Sequence, residues 1–415
     1  MASISELQLE DIPSDLINAF IQQAVCLGNG RLALVGGAVR DSLLSIIDPN
    51  FSRQSSDIDF IYEGDIHLFC TGLQAFLGSR RIQELRFHDS FGTANLLLDD
   101  LLIDLASARL ETYPILAENP SVVFSSLEND LSRRDFTVNA MALVFNADGD
   151  PNLLDPHAGT QHLISRQLVF LHDESVAEDP TRVIRGARYA ARLRFLLSDQ
   201  SLQQLKSTLQ VWPWSWKPGD PTDLCPPALG TRLRMELDLL FNNEPWPQAL
   251  SFLQDWSALT LLDKSLQKDS RLFIRLRSAK RLQLPLLCAL VAAAADPVDL
   301  SHRLQIPGQH QSWLEELLLF RRWIQSEVLT TSWEEWDALK WTSSLEQQCW
   351  TPEVVALAIC DHKAYWRPLL RWWGRWRHVS AQITASDLMK QGYEPGPRLG
   401  QELKKSRMQA LERMR

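Results

Sequence analysis

The feature that most constrains this chain is a short acidic segment among apolar residues, Ser56-Asp57-Ile58-Asp59-Phe60-Ile61-Tyr62. Its β-branched and aromatic residues predict a strand. Because side chains alternate along a strand, Asp57 and Asp59 would project to the same side. Two carboxylates so placed repel each other unless a cation lies between them, and Mg²⁺ prefers such oxygen ligands together with substrate phosphates. The alternative is that both are surface acids, where Asp usually occurs.

A glycine pair upstream of the acidic segment predicts an anion site. Gly36 and Gly37 follow the apolar run at 32–35 and open an apparent helix from Ala38 to Ile47. Glycines at a strand-to-helix junction let backbone N–H groups approach a phosphate, and the helix N-terminus adds a favourable dipole. Arg40, in the first helical turn, could reach the same phosphate.

A third carboxylate is available at Asp104, in the apolar run at 101–106 that predicts a strand beside the acidic one. Three carboxylates and a phosphate cradle describe a two-metal phosphoryl-transfer site. Two alternatives stay open. Asp104 could be a strand-end acid that pairs with Arg109, and Glu111 is a competing third carboxylate.

Four ordered motifs between about Leu34 and Phe195 resemble those of class II tRNA nucleotidyltransferases and bacterial poly(A) polymerases. The motifs are residues 34–41, the Asp57 and Asp59 pair, Arg133-Arg134-Asp135-Phe136-Thr137-Val138-Asn139-Ala140, and Glu178-Asp179-Pro180-Thr181-Arg182. The resemblance implies an α+β fold. Its N-terminal head would be a polymerase β-like nucleotidyltransferase domain, a mixed sheet with helices, and an all-helical neck, body and tail would follow.

The resemblance also implies roles for single residues. Asp57, Asp59 and Asp104 would be catalytic, and the first two would bridge two Mg²⁺ ions. The residues expected to bind the nucleotide are Gly36, Gly37, Arg40, Arg134, Asp135, Asn139 near the ribose, Asp179, Arg182, Arg185 and Arg188. Among them, Asp179 and Arg182 would pair with the base edge of CTP or ATP and so replace a template. The alternative for these two is an ordinary helical ion pair, since they are three residues apart.

The expected neck contains one predicted helix and one departure from the family pattern. The segment from Ala177 to Phe195 predicts a single helix, with Pro180 in its first turn. At 155–162 the chain has Ala158 and His162 where the family usually has glycine and aspartate. That segment is held to govern movement between head and neck.

Local patterns predict the remaining elements. In the head we expect strands at 32–35, 58–62, 81–85, 92–98, 101–107 and 138–145, helices at 38–47 and 66–77, and turns at 99–100 and 146–150. Residues 109–124 are either a mobile loop or a plain connector. In the C-terminal part we expect helices at 230–241, 246–262, 270–281, 286–295, 311–326, 333–345 and 352–377.

Tryptophan and charge divide the chain. All 15 tryptophans lie between Trp212 and Trp376. Residues 1–150 carry 22 acidic and 9 basic side chains, and the remainder carries 29 and 33. We therefore expect a nucleotidyltransferase head at 25–150, a base-binding helical neck at 151–210, and a helical, tRNA-binding body and tail at 211–415. Weak candidates for RNA contacts in the last part are Arg371, Trp372, Arg375, Gly396 and Arg398.

These observations predict a template-independent nucleotidyltransferase that adds CMP, AMP or both from CTP and ATP to the tRNA 3′ end. The alternatives are a CC-adding or A-adding enzyme, a poly(A) polymerase, and a catalytically silent RNA-binding protein. Met1 to Asp15 does not resemble a signal peptide, no run is long enough to span a membrane, and the six cysteines show no metal-binding spacing. We therefore expect a cytoplasmic protein with no membrane partner; the oligomeric state is left open.

Overall fold

The computed structural model describes residues 12–28, 30–51, 57–78, 80–88, 92–146 and 151–414. Ser56 and most of the turn predicted at 146–150 lie outside these ranges. Contacts between Cα atoms divide the chain into two compact units. Unit 1 comprises Met1–Trp216, Pro226–Glu236 and Asn243–Ala258, and unit 2 comprises Lys217–Cys225, Leu237–Asn242 and Leu259–Arg415. The division into head, neck and body with tail stays a prediction.

The centre of unit 1 is a mixed sheet with, among the described residues, seven strands in the order β3-β4-β5-β2-β1-β8-β9. Strands β2 and β5 run parallel, and the other neighbours are antiparallel. The strands are β1 Leu32–Val35, β2 Ile58–Tyr62, β3 Ile82–His88, β4 Thr93–Leu98, β5 Leu101–Ser107, β8 Ala142–Phe145 and β9 Pro151–Leu154. Two small two-stranded sheets pair β6 Arg109–Thr112 with β7 Ser121–Phe124, and β10 Gln167–Leu168 with β11 Leu196–Leu197.

The sequence patterns placed most of these strands correctly. The bounds of β1, β2 and β5 are those expected, and β3 and β4 are shifted by one to three residues at their ends. The turn at Asp99 and Asp100 is confirmed, with φ of 48° and 66°, the left-handed conformation that two-residue hairpin turns require. The strand expected at 138–145 is wrong in its first half, because Thr137–Asn139 forms a 3₁₀ helix and β8 begins only at Ala142.

The helices of unit 1 surround the sheet and form a helical layer after it. They are α1 Ser14–Cys26, α2 Gly37–Ile47, α3 Ile66–Leu77, α4 Leu127–Ser132, α5 Gly159–Ile164, α6 Ser175–Glu178, α7 Thr181–Leu193, α8 Asp199–Val211 and α10 Trp246–Asp255. Helix α9, Thr231–Asn243, is shared between the two units.

The two faces of the sheet differ in what covers them. On one face Phe60 of β2 packs edge-on against Phe20 of α1, which in turn packs against Phe69 of α3. On the other face, an apolar cluster that includes Val35, Ala142 and Leu131 of α4 covers β1, β2 and β8. Along β4 and β5, residues of the first face are buried, whereas those of the second are partly exposed. The second face is therefore open at its β5-β4-β3 end.

The single helix expected from Ala177 to Phe195 is wrong. Helix α6 ends at Glu178, and Asp179 has an extended backbone with φ −141° and ψ 93° before α7 begins at Thr181. A residue before proline is disfavoured in the helical region because its backbone collides with the proline ring, so Pro180 enforces the break.

Unit 2 is helical. Its helices are α11 Lys264–Lys268, α12 Leu272–Arg281, α13 Leu286–Ala292, α14 Pro297–Arg303, α15 Gly308–Trp323, α16 Ala338–Gln347, α17 Pro352–Cys360, α18 Trp366–Gly374, α19 Ala385–Lys390 and α20 Pro397–Glu412. The helix expected at 352–377 is two helices with a break after Cys360, and the helix expected at 246–262 ends at Asp255. Within the described ranges, no helix is long and apolar enough to cross a membrane.

Candidate active site

Asp59 and Asp104 are direct neighbours in the sheet. They are register partners in the parallel pair of β2 and β5, so their side chains share the second face, on strands about 4.8 Å apart. Asp57 lies immediately before β2. Burial raises the pKa of Asp59 to about 6, and the charges of Asp104 and Asp57 add to the effect against the opposing charge of Arg134. Asp104 and Asp57 thus each repel the charged form of Asp59.

Gly36 lies close to the carboxylate of Asp59. Its φ of 71° is a conformation that side-chain-bearing residues rarely adopt. A Cβ atom built at Gly36 would lie 3.3 Å from Asp59 Oδ2 and 3.5 Å from Arg134 Nη1. Helix α2 begins at Gly37, directly after the strand-to-helix turn from β1. The turn therefore brings the backbone of Gly36 close to the Asp59 carboxylate and the Arg134 guanidinium.

The donor set fits a hard cation that also binds phosphate. Asp59 is a partly buried carboxylate whose pKa is raised by burial and then by the charges of Asp104 and Asp57, so a cation would relieve the repulsion. In the part of the chain that the structure describes, no group of three or more His, Cys, Asp or Glu side chains is placed to hold a metal ion together. A cation here would be left with coordination positions for water or substrate, which suits Mg²⁺.

Glu111, the competing third carboxylate, is engaged elsewhere. Arg109 Nη2 and Arg133 Nη1 both donate to its Oε1 at 2.9 Å. Its strand β6 belongs to a separate two-stranded sheet with β7. Residues 109–124 are thus a hairpin, and its loop is fixed at Ala117, which donates to Glu178 O and accepts from Ala228 N.

Arg40, Asn139, Asp135 and Arg185 form a continuous chain of contacts. Arg40 Nη1 donates to Asn139 Oδ1 at 2.7 Å, and Asn139 Nδ2 donates to Asp135 Oδ1 at 3.1 Å. Arg185 Nη1 donates to Asp135 Oδ2 at 3.4 Å. Arg40 is 3% exposed and also donates to Asp41, so in this conformation it braces the site rather than facing solvent.

The arginine row of α7 is paired with acids that the sequence analysis did not single out. Arg185 and Arg188 contact Glu236 of α9, and Arg188 and Arg192 contact Glu244. The sequence offers no local signal for Glu244. Glu236 and Glu244 therefore offset the positive charge of these three arginines.

In the described part of the chain, the side chains of Asp179 and Arg182 bond to other groups rather than to each other, although Arg182 N donates to Asp179 O at 3.1 Å. This arrangement is not the simple helical ion pair. Asp179 Oδ1 accepts from Thr181 N and Oγ1 at 3.0 and 2.6 Å, and Oδ2 accepts from Arg232. Arg182 donates to the carbonyls of Ser175 and Arg133 at 3.1 and 2.8 Å. Burial tends to raise the pKa of Asp179, but Arg232, Arg185 and Arg182 outweigh it and lower the pKa.

The departure from the family pattern at 155–162 lies against the motif of residues 133–140. Ala158 has φ 56°, the left-handed conformation that glycine adopts more easily. Asp155 accepts from the N–H groups of Gly159 and Thr160, and His162 Nδ1 lies 2.8 Å from Thr137 Oγ1. The two histidines of this segment thus form structural hydrogen bonds, since His157 also contacts Ser132.

The five weak candidates for RNA contacts all lie in unit 2. Trp372 is buried on α18, so its ring does not form a free stacking surface in this conformation. Arg371, Arg375, Gly396 and Arg398 are exposed. The carboxylate site described above lies within unit 1.

Comparison with known proteins gives consistent similarities. A family model described as the Poly A polymerase head domain matches residues 32–169. The chain is 38% identical to the CC-adding tRNA nucleotidyltransferase of Deinococcus radiodurans over 234 residues, 56% of this chain and 55% of that protein. It is 37% identical to the A-adding tRNA nucleotidyltransferase of Aquifex aeolicus over 181 residues, 44% of this chain and 21% of that protein.

The fold resembles solved structures over nearly the whole chain. The apo form II of a CCA-adding enzyme superposes with a TM-score of 0.73 at 22% identity and covers 99% of this chain and 95% of that one. The mixed sheet followed by helices is thus the fold of CCA-adding enzymes, as expected. By sequence, the chain spans about half the length or less of the first curated relatives that it matches.

Proposed function

We propose that the chain belongs to the class II tRNA nucleotidyltransferase and bacterial poly(A) polymerase family, and that it adds CMP, AMP or both to the 3′ end of tRNA without a template. The observation that carries the proposal is the Asp59 and Asp104 pair beside Gly36 and Arg134. A catalytically silent RNA-binding protein would have no need to keep repelling carboxylates next to an anion-binding turn.

The reaction is an in-line phosphoryl transfer. The 3′-hydroxyl oxygen forms a bond to the α-phosphorus of the incoming nucleotide, and the bond from that phosphorus to the bridging oxygen breaks, so that pyrophosphate leaves. The hydroxyl proton passes to water. Asp57, Asp59 and Asp104 would hold two Mg²⁺ ions. Bound Mg²⁺ would increase the acidity of the hydroxyl and neutralise charge on the phosphates. Arg134, beside Asp59, is our candidate for direct contact with the triphosphate, together with the backbone at Gly36 and Gly37.

The other candidate nucleotide residues have a supporting role in this proposal. Arg40, Asp135, Asn139 and Arg185 form a chain of contacts that would keep the ribose side of the site rigid. Arg188 extends the same network towards Glu236. A rigid site lowers the entropy that is lost when the two substrates are aligned.

We further propose that Asp179 and Arg182 recognise the base edge. A carboxylate accepts from the amino group that cytosine and adenine share, and a guanidinium donates to ring and carbonyl acceptors. Because both oxygens of Asp179 are bonded within the protein, base recognition requires that one of these bonds exchange for a bond to the base.

The relatives differ in which nucleotides they add, so the number of nucleotides added by this chain is the open part of the proposal. We incubate the protein and Mg²⁺ with three tRNA transcripts that end at the discriminator base, after the first added C, and after the second. Labelled CTP and ATP are supplied separately and together. Extension of all three to CCA establishes the full activity.

Other outcomes separate the alternatives. Labelling by ATP only on the transcript that ends in CC indicates an A-adding enzyme, labelling by CTP alone a CC-adding enzyme, and long A tails a poly(A) polymerase. Absence of labelling in the wild type overturns the enzymatic proposal, and equal labelling in Asp59→Ala traces any signal to a contaminant.

We also propose that Arg371, Arg375 and Arg398 contact tRNA. We propose in addition that the protein acts in the cytoplasm, where cell fractionation would detect it.

A further inference from the structure

Two consecutive hydrogen bonds, from His88 to Asn95 and from Asn95 to Asp104, hold the Asp104 carboxylate on the side of β4. Asn95 is its register partner on β4, and Asn95 Nδ2 donates to Asp104 Oδ1 at 2.5 Å. Continuing outward, His88 Nε2 lies 2.6 Å from Asn95 Oδ1. His88 is the last pairing position of β3 against β4, opposite Thr93. Asp104, Asn95 and His88 thus lie on three adjacent strands at the open end of the second face.

The chemistry of the three side chains determines which group donates in each of these two hydrogen bonds. An ionised carboxylate can only accept hydrogen bonds, so the amide nitrogen of Asn95 must face Asp104. The amide oxygen of Asn95 then faces His88 and can only accept. His88 must therefore carry its proton on Nε2, and both bonds point from the edge of the sheet towards the carboxylate.

We propose that Asn95 and His88 are positioning residues that orient Asp104 for metal binding. Asn95 occupies Asp104 Oδ1 and thereby leaves Oδ2 as the oxygen available to a cation shared with Asp59, its neighbour on β2. His88 in turn holds the Asn95 amide in the one orientation that donates to Asp104. Groups that fix metal-binding carboxylates in this way typically change metal affinity or activity by 10–100-fold when removed. The inference rests on the proposed function, because it assumes that Asp104 binds the metal.

The first test is the affinity of the purified protein for Mn²⁺ alone, measured by electron paramagnetic resonance of the free ion. We expect Asn95→Ala to weaken binding roughly tenfold or more. His88→Ala should cause a smaller loss in the same direction, and His88→Gln, which keeps an N–H donor, should restore binding. Asn152→Ala, an exposed asparagine on β9 of the same sheet, is the matched control and should bind as the wild type does.

The second readout concerns the hydrogen bonds themselves. In ¹⁵N-labelled protein, the His88 ring should be protonated at Nε2, and the Asn95 side-chain NH₂ resonances should shift in His88→Ala but not in His88→Gln. Because His88 is exposed, these variants should fold, and unchanged melting temperatures would document this. Wild-type Mn²⁺ affinity in both Asn95→Ala and His88→Ala would overturn the proposal. So would a His88 ring that carries a proton on Nδ1 and none on Nε2.

Asp104→Asn separates this inference from the proposed function. If that variant binds Mn²⁺ as the wild type does, Asp104 is no metal ligand and the metal assignment itself is wrong. If Asp104→Asn loses binding while Asn95→Ala does not, the metal assignment stands and only the positioning role fails.

Discussion

Asp179 and Arg232 form an ion pair across 53 residues of sequence, and the carboxylate of that pair is only 4% exposed. The acid lies in the extended link between α6 and α7, and the arginine lies in the first turn of α9. The residue expected to read the base is thus held by a contact that no motif contains. Arg185 and Arg182 add to the field that keeps Asp179 ionised.

Removal of Arg232 should destabilise the protein because it leaves a buried carboxylate with less compensation. We expect Arg232→Gln to lower the free energy of unfolding by about 2 kcal/mol. Asp179→Asn combined with Arg232→Gln should be clearly less destabilising than the sum of the two single changes. Urea denaturation of the four proteins measures the coupling, and additive effects would show that the pair contributes nothing.

Asp179→Asn should also change which nucleotides are used. The amide presents an N–H group where the carboxylate presents only acceptors, so it no longer complements the amino group of cytosine or adenine. We expect kcat/KM for CTP and ATP to fall at least tenfold, which corresponds to about 1.4 kcal/mol, with a smaller fall for UTP. Asp173→Asn changes an exposed acid of the same segment and should leave kcat/KM for CTP, ATP and UTP unchanged. A uniform loss across nucleotides would instead mean that Asp179 only supports the fold.

The sequence predicted those parts of the site that depend on local pattern. The alternation of apolar and acidic residues placed β2, and the apolar run with a glycine pair placed β1 and the start of α2. The position of Asp104 beside Asp59 was a hypothesis, since it depends on parallel pairing of β2 with β5 across the β3 and β4 hairpin. Periodicity within a strand carries no information about which strand lies next to it.

The parts that sequence reasoning missed are long-range. Arg232 and Glu244 reach α7 and its preceding link from more than 50 positions away, and nothing near either residue marks it as a partner. The wrong helix from Ala177 to Phe195 has a different cause. Pro180 is compatible with a first helical turn, but it disfavours the helical conformation for the preceding residue, Asp179. The helix therefore begins after Pro180, at Thr181.

Gly36 and Gly78 provide a matched test of the anion-binding turn. Both have positive φ, 71° and 72°, but a Cβ at Gly78 would meet nothing within 4 Å, whereas one at Gly36 would approach Asp59 and Arg134. Each change to alanine should cost about 1–3 kcal/mol of stability through backbone strain. Only Gly36→Ala should also lose nucleotide incorporation, by tenfold or more. Equal activity in the two variants would show that the backbone at Gly36 has no part in catalysis.

The raised pKa of Asp59 predicts how the metal-free protein responds to pH. The native carboxyl keeps its proton up to about pH 6, whereas an unfolded Asp releases it near pH 4, so between these values the native state binds more protons. The free energy of unfolding attributable to Asp59 therefore falls as pH rises through this window. The free energy of unfolding of Asp59→Asn should match that of the wild type near pH 4 and exceed it above pH 6, by about 3 kcal/mol.

That gain in stability should accompany loss of activity. We expect Asp59→Asn to reduce incorporation by about a thousandfold or more, because a neutral amide cannot replace a metal-binding carboxylate. Thermal melts across the pH range in the presence of a chelator, with Asp173→Asn as the control, measure the first effect. If the stability difference between Asp59→Asn and the wild type did not change with pH, Asp59 would not have a raised pKa.

Ala158 and Gly159 should respond in opposite ways to exchange between alanine and glycine. Ala158 has φ 56°, so Ala158→Gly relieves strain of about 1–2 kcal/mol and adds about 0.5–1 kcal/mol of unfolded-state entropy, for a small net stabilisation. At Gly159 a Cβ would lie 2.4 Å from Thr137 O, so Gly159→Ala must push α5 away from the 3₁₀ helix at Thr137–Asn139 and should cost about 2 kcal/mol. Ala75→Gly, at an exposed position of α3, is the control and should destabilise by about 1 kcal/mol. Because Thr137 belongs to the motif that carries Asp135 and Asn139, we expect Gly159→Ala to raise KM for the nucleotide as well. If Ala158→Gly instead destabilised the protein, the left-handed backbone at Ala158 would be unstrained.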